Sequence, residues 1–243
     1  MPYRRLPNTD SARYKAIQKA YQKGKELPPF KLAFSQSTYQ KIISFLPLYE
    51  KTMIHQKGAM QLQTERNLDY LPHVKKVKTY ISHFIQVVNL AIQRCELPLS
   101  ILEDYKLTRY GFKVPPMITE DEICNIGRNL IEGEAARKRK GLPPVTNPTI
   151  ALVKVWYEKF LDAYQDQKNL QLATCRAQKE LASLRPKADE IILSVWNEVE
   201  NSFKDLPDDL KREKANEYGL IYVYRKTESP SQIVITQQKL GIG

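Results

Sequence analysis

The chain is poor in the residues that mark most chemical sites. Its nine glycines form neither a GxGxxG nor a Walker A pattern, so no phosphate cradle is expected. The densest glycine stretch, "LGIG" at 240–243, has no helix after it to hold an anion. Only three histidines occur, His55, His73 and His83, and no two lie three or four positions apart. No HExxH is present. Glu50 and Glu158 lack the histidine three positions on that ferritin-like bundles use for metal. Each histidine therefore reads as a structural or surface residue, with no metal and no cofactor implied. GxSxG and SxxK are also missing, which leaves no nucleophile motif.

Cysteine is scarce and odd in number. Cys95, Cys124 and Cys175 have no CxxC spacing and read as buried, reduced thiols of a cytoplasmic protein. Long apolar runs are missing too. The longest candidate, 81–92, contains His83, Gln86 and Asn89, so membrane insertion is not expected. "MPYRRLPNTD" has basic residues without an apolar stretch and does not read as a secretory signal.

What the chain does have is positive charge, unevenly spread. The net charge is +11, and residues 1–60 carry eleven Lys/Arg against three Asp/Glu. Residues 181–243 carry nine against ten. Two basic clusters stand out, Arg4-Arg5 and Arg137-Lys138-Arg139-Lys140. The second reads as an exposed loop between glycine and prolines, able to hold phosphates without reading sequence. A solvated loop is the plainer alternative, and no RNP aromatic pair or GxxG loop supports nucleic-acid recognition.

Helical periodicity dominates. Asn8, Thr9 and Asp10 are cap residues before Tyr14, Ile17 and Tyr21, and Gly24 reads as a stop. Ile42, Leu46, Tyr49, Met53 and Met60 form the stripe of a long helix with a kink or restart at Pro47. Val74, Val77, Ile81, Phe84, Val88, Ala91 and Cys95 form a second stripe after Pro72. Thr119 caps a helix carrying Ile123, Ile126 and Leu130, closed by Gly133. Asn147 and Pro148 read as the cap and first position of another long helix with Val153, Tyr157, Phe160 and Tyr164. Pro186 opens the last, with Ala188, Ile192, Val195, Val199 and Phe203. "LIYVYR" (220–225) and "QIVIT" (232–236) read as a β-hairpin.

The two halves match in order. Thr9 matches Thr119, Gly24 matches Gly133, and Leu27-Pro28-Pro29 matches Leu142-Pro143-Pro144. Tyr49-Glu50-Lys51 matches Tyr157-Glu158-Lys159. Leu97-Pro98 and Tyr110-Gly111 match Leu206-Pro207 and Tyr218-Gly219. These offsets of 108–115 residues point to a tandem duplication. The expected architecture is mostly α: an internally duplicated antiparallel helical bundle, with a short, a long and a medium helix in each copy and a small C-terminal β-hairpin. One domain would cover 1–243, with repeats at 8–112 and 118–220 and a hairpin and tail at 220–243. Adjacent helix positions point about 100° apart, so each Tyr-Glu-Lys is expected to bury its tyrosine and expose the other two. Turns are expected at Pro72 and Pro186, because a continuous helix of about 60 residues would leave a stripe uncovered.

"MPYRRLPNTD", "ELPPFKLAFSQSTYQ", "YISHFIQVVNLAI", "TNPTIALVKVWYEKFLDAY" and "LRPKADEIILSVWNEVE" resemble a family of uncharacterised Bacteroidetes proteins. The likeness covers most of the chain. It implies a shared family and brings no chemistry with it.

The functional expectation is a non-enzymatic helical scaffold or protein-interaction protein, with the C-terminal hairpin as a docking edge for a protein partner. The alternative is polyanion or nucleic-acid binding through Arg4, Arg5, Arg137, Lys138, Arg139 and Lys140. A third possibility is an enzyme with a site between the two repeats.

Overall fold

The computed structural model describes residues 3–223. Among them, in chain order, are strand β1 (Tyr3–Arg4), helices α1 (Asp10–Glu26), α2 (Gln36–Gln93), α3 (Ile101–Asp104), α4 (Glu120–Arg139), α5 (Ile150–Ser202) and α6 (Asp208–Glu217), and strand β2 (Tyr222–Val223). The mostly helical class expected from periodicity holds. β2 lies inside the expected first hairpin strand and pairs antiparallel with β1, Tyr3 opposite Val223 and Arg4 opposite Tyr222. The expected second strand at 232–236 lies outside the described residues.

The expected turns at Pro72 and Pro186 are not there. α2 runs unbroken through Pro47 and Pro72, and α5 through Pro186. All three prolines sit on exposed positions. Each removes one amide donor, and the carbonyl four residues earlier lies on the same side of the helix, where water can bond it. For Pro47 and Pro72 those residues are Ile43 and Leu68, themselves 38% and 68% exposed. The stripe that seemed to forbid one long helix is covered in two separate places.

The chain forms two compact units, residues 1–58 with 176–243, and residues 59–175. They cut across the expected repeats. The first holds α1, the first part of α2, the last part of α5 and α6. Its core packs Ile17 and Ala20 of α1, Ile42, Phe45 and Tyr49 of α2, and Ile192, Val195, Trp196 and Val199 of α5. The second holds α4, the first part of α5, the last part of α2 and α3. Its core packs Val77, Ile81, Phe84 and Val88 of α2, Ile123, Ile126 and Leu130 of α4, and Val153 and Phe160 of α5. Burying each such side chain contributes about 1.5–3 kcal/mol. Met60, expected in the stripe, is instead 58% exposed.

Local signals explain most helix starts. Thr9 accepts a hydrogen bond from the Ala12 amide, and Thr119 and Glu122 form a reciprocal capping box. α5 begins at Ile150 rather than Pro148, because Asn147 takes a left-handed conformation (φ 57°) and the chain makes a turn first. Gly24 and Gly133 do not end their helices; both lie inside them. A Cβ at Gly24 would collide with the Tyr39 ring, and one at Gly133 with the Asp104 carbonyl and the Tyr105 ring. They are glycines because a neighbour presses on the helix. Gly111 and Gly219 end their turns at φ 56° and 93°, as the shared Tyr-Gly pattern predicts.

Candidate functional site

The two long helices carry polar residues at their facing positions in one part of the second unit. Asn67 of α2 accepts a hydrogen bond from Gln167 Nε2 of α5 at 3.3 Å, and the Thr174 hydroxyl donates to the Ala59 carbonyl at 3.2 Å. Elsewhere in this unit the same facing positions hold Val77, Ile81, Phe84, Val153 and Phe160. Where apolar side chains give way to polar ones, an open groove of about 460 Å³ lies between α2 and α5.

Its polar wall is made by Arg66, Asp69 and His73 on α2 and by Asp166, Gln167 and Asn169 on α5. The spacing of Arg66, Asp69 and His73, three and four positions apart, puts them on one helix face. Leu62, Tyr70, Ala163 and Leu170 supply the apolar part. Tyr70 is buried, stacks on Phe160 and donates its hydroxyl to Glu120 at 3.4 Å. Burial, helped by the Glu120 carboxylate, raises the Tyr70 phenol well above its ordinary value and keeps it neutral.

Two buried atoms of this wall have no hydrogen-bond partner among the described residues: Nδ1 of His73 and Oε1 of Gln167. Gln167 is only 7% exposed. Leaving such an atom unpaired costs about 1–3 kcal/mol. Arg66 reaches Asp69 only at 3.9 Å, and both side chains are largely exposed. Asp166 makes no ion pair among the described residues. The wall therefore presents an unpaired amide oxygen and an unpaired imidazole nitrogen beside two carboxylates, one guanidinium and the Asn169 amide.

Three of the six expected polyanion contacts are engaged within the protein. Arg4 donates to Asn197 at 2.8 Å and Glu200 at 3.0 Å and lies over the Trp196 ring. Arg5 is exposed, and its amide bonds the Ile221 carbonyl. The run 137–140 is not a loop: Arg137, Lys138 and Arg139 form the last turn of α4, where cations complement the helix dipole. Arg137 is 2% exposed, lies 3.4 Å from the buried Glu134 and donates to the Pro143 carbonyl at 3.2 Å. Glu134 also accepts from the Val145 amide and the Tyr105 hydroxyl. This cluster fastens the 140–146 connection to α4. Lys140 pairs with Asp104 at 2.9 Å, which leaves Lys138 and Arg139 exposed without an ion pair among the described residues. The expectation that all four are solvated fails because Glu134, one helical turn before Arg137, gives its guanidinium a buried partner.

The cysteines also depart from expectation. Cys95 and Cys175 are exposed and Cys124 is half-buried, all three as free thiols. Cys95 and Cys175 sit on the solvent side of their helix or turn, so thiol composition alone was a poor guide to burial. His55 and His83 are exposed, and only His73 lies in the groove.

Tyr49 and Tyr157 are buried, while Glu50, Lys51, Glu158 and Lys159 are exposed, as helix geometry required. Tyr49 donates to Asp10 at 3.0 Å and Tyr157 to the Cys124 carbonyl at 2.9 Å. Each tyrosine lies in the core of its own unit.

Sequence reading missed the groove. The available signal was the interrupted stripe: Gln63 and Asn67 follow Met53 and precede Tyr70, and Gln167 follows Tyr164. Among the described residues no helix is long and apolar enough to cross a membrane, and no group of three or more His, Cys, Asp or Glu is placed to hold a metal. Comparison of the chain with protein-family models, with curated proteins and with solved structures finds no match in any of the three.

Proposed function

We propose that the protein is a non-enzymatic helical scaffold that works by binding, with the groove of the second unit as its contact point. The observation that supports this is the pair of unpartnered buried atoms, His73 Nδ1 and Gln167 Oε1, in the wall of an open groove. A fold that leaves such atoms unpaired next to solvent gains when a ligand supplies the missing partners. Of the hairpin expected as a docking edge, β2 pairs with β1 and the second strand lies outside the described residues, so it adds nothing here.

The polyanion alternative has less support, since three of its six residues are engaged within the protein. Arg4, Arg137 and Lys140 are held by Glu200, Glu134 and Asp104. Neutralising all of 137–140, the obvious test, would break a buried pair and confuse binding with unfolding.

The tandem duplication belongs to the same proposal. Each unit draws one short helix, the beginning of one long helix, the end of the other, and a second short helix. That inventory agrees with two copies in which α1 matches α4, α2 matches α5 and α3 matches α6.

The binding role is tested by thermal-shift screening of the whole protein against a mixed panel of small cations, anions, neutral polar compounds and short peptides. At least one class should raise the melting temperature, since ligand at 100 times its Kd adds about 2.7 kcal/mol. The rise should vanish in Gln167→Leu. If no class stabilises the protein, or if Gln167→Leu responds as the parent does, the groove is not a binding site.

A further inference from the structure

We infer that the groove takes an organic cation, a primary ammonium or guanidinium group on an apolar stem. This rests on the binding role proposed above and specifies its ligand. Gln167 uses its Nε2 to donate to Asn67, which leaves the carbonyl oxygen as the unpaired atom. An amide oxygen can only accept, so the ligand must bring a donor. His73 Nδ1 also lacks a partner, and it accepts a donor in the tautomer that carries the proton on Nε2. The Gln167 oxygen therefore asks for an N–H or O–H donor.

Charge narrows the choice. Asp69 and Asp166 line the groove with a single guanidinium, Arg66, between them in charge count. Arg66 is 3.9 Å from Asp69, a loose contact, and Asp166 makes no ion pair among the described residues. An anion would face two carboxylates and the Gln167 carbonyl, which outnumber the single cationic donor, Arg66; the Asn169 amide is a further side-chain donor, on α5. A cation would meet Asp166 and the Gln167 carbonyl, the charge-assisted arrangement that is about twice as strong as a neutral one. Leu62, Tyr70, Ala163 and Leu170 then receive the aliphatic stem. The same chemistry is carried by free diamines and by lysine or arginine side chains of a protein partner.

Isothermal titration of the whole protein separates these cases. The probes are agmatine, its neutral counterpart 1,4-butanediol, its anionic counterpart succinate, and a capped Leu-Arg-Leu peptide. Agmatine or the peptide should bind, and butanediol and succinate at least tenfold more weakly. Tighter binding of the peptide identifies a partner's side chain as the source; tighter binding of agmatine identifies a free amine. Asp166→Asn and Gln167→Leu should each weaken the cation at least tenfold while far-UV circular dichroism stays unchanged. Asp166 is exposed, so its substitution tests charge without disturbing the core. Preferential binding of succinate or butanediol overturns the cation and leaves the binding role standing. Cation binding that ignores both substitutions places the ligand elsewhere and overturns this assignment. No binding by any probe overturns the assignment, and the independent screen above then decides the binding role.

Discussion

At the scale of single residues, two glycines show how a local pattern and a tertiary contact compete. Gly24 and Gly133 stand near the ends of their helices, where glycine commonly marks a C-terminus. Both are interior because an aromatic ring, Tyr39 or Tyr105, occupies the space a Cβ would need. A methyl group at position 133 would meet the Asp104 backbone, which cannot swing aside as a side-chain end can. Gly133→Ala should therefore destabilise the protein by about 1–3 kcal/mol, the usual cost of overpacking, despite alanine's better helix propensity. Urea denaturation measures this; an unchanged or higher midpoint would show that α3 yields. The buried Glu134–Arg137 pair makes the same point about charge. A run of four cations looks solvated until the fold supplies a carboxylate one turn away, and removing either partner of such a pair costs about 3–5 kcal/mol.

At the scale of elements, the continuous helices are the main departure from expectation. Periodicity found the apolar stripes on both sides of Pro72 and Pro186 correctly: Val77, Ile81, Phe84 and Val88 are buried, as are Ala188, Ile192, Val195 and Val199. Proline then suggested breaks that do not occur. The penalty of an interior proline is about 3 kcal/mol, but it is a penalty, not a prohibition. Packing of apolar stripes on either side outweighs it, and solvent exposure lets water satisfy the freed carbonyl. Pro186→Ala restores the amide donor on an exposed position. It should raise stability by about 1–3 kcal/mol, less than the full penalty because proline also restricts the unfolded chain. A lowered midpoint in chemical denaturation would mean that Pro186 itself is needed for packing. α6 was missed for a related reason. "DLPDD" reads as a helix end, yet Pro207 followed by Asp208 and Asp209 is also a sound helix start, with acids in the first turn.

At the scale of the whole molecule, two of the three carboxyls held below their ordinary value among the described residues, Asp10 and Glu198, lie in the first unit, and Glu122 of the capping box lies in the second. Asp10 ties three helices: it accepts from Tyr49 of α2 and from Arg185 of α5 at 2.9 Å, and Arg13 of its own helix lies 3.8 Å away. Burial alone would raise its carboxyl, but these donors outweigh it and hold the group below the ordinary carboxylate value. Glu198 is likewise lowered: burial opposes, and hydrogen bonds from Thr38 and Ser35 at the start of α2 prevail. A depressed folded pKa gives stability that is present above the unfolded value, near pH 4, and lost as pH falls through the folded one. Trp196, buried in this unit, reports on it once Trp156→Phe removes the other tryptophan. The Trp196 denaturation midpoint should fall as pH drops below about 4. Asp10→Asn should lower the midpoint at neutral pH and flatten its acid dependence. An Asp10→Asn profile parallel to the parent's would remove Asp10 from the explanation.

The sequence by itself determined the helical class, the apolar stripes, the Thr9 and Thr119 caps and the burial of Tyr49 and Tyr157. These depend on periodicity and hydrogen bonding within a few residues, which are local. The tertiary structure alone decided which stripes face each other, and so whether a proline breaks a helix and whether Arg137 is free or held by Glu134. It also decided that His73 and Gln167, distant in the chain, line one groove, and that Gln167 bonds Asn67, 100 residues before it. Such choices depend on contacts between distant segments, and a single sequence carries no direct record of them.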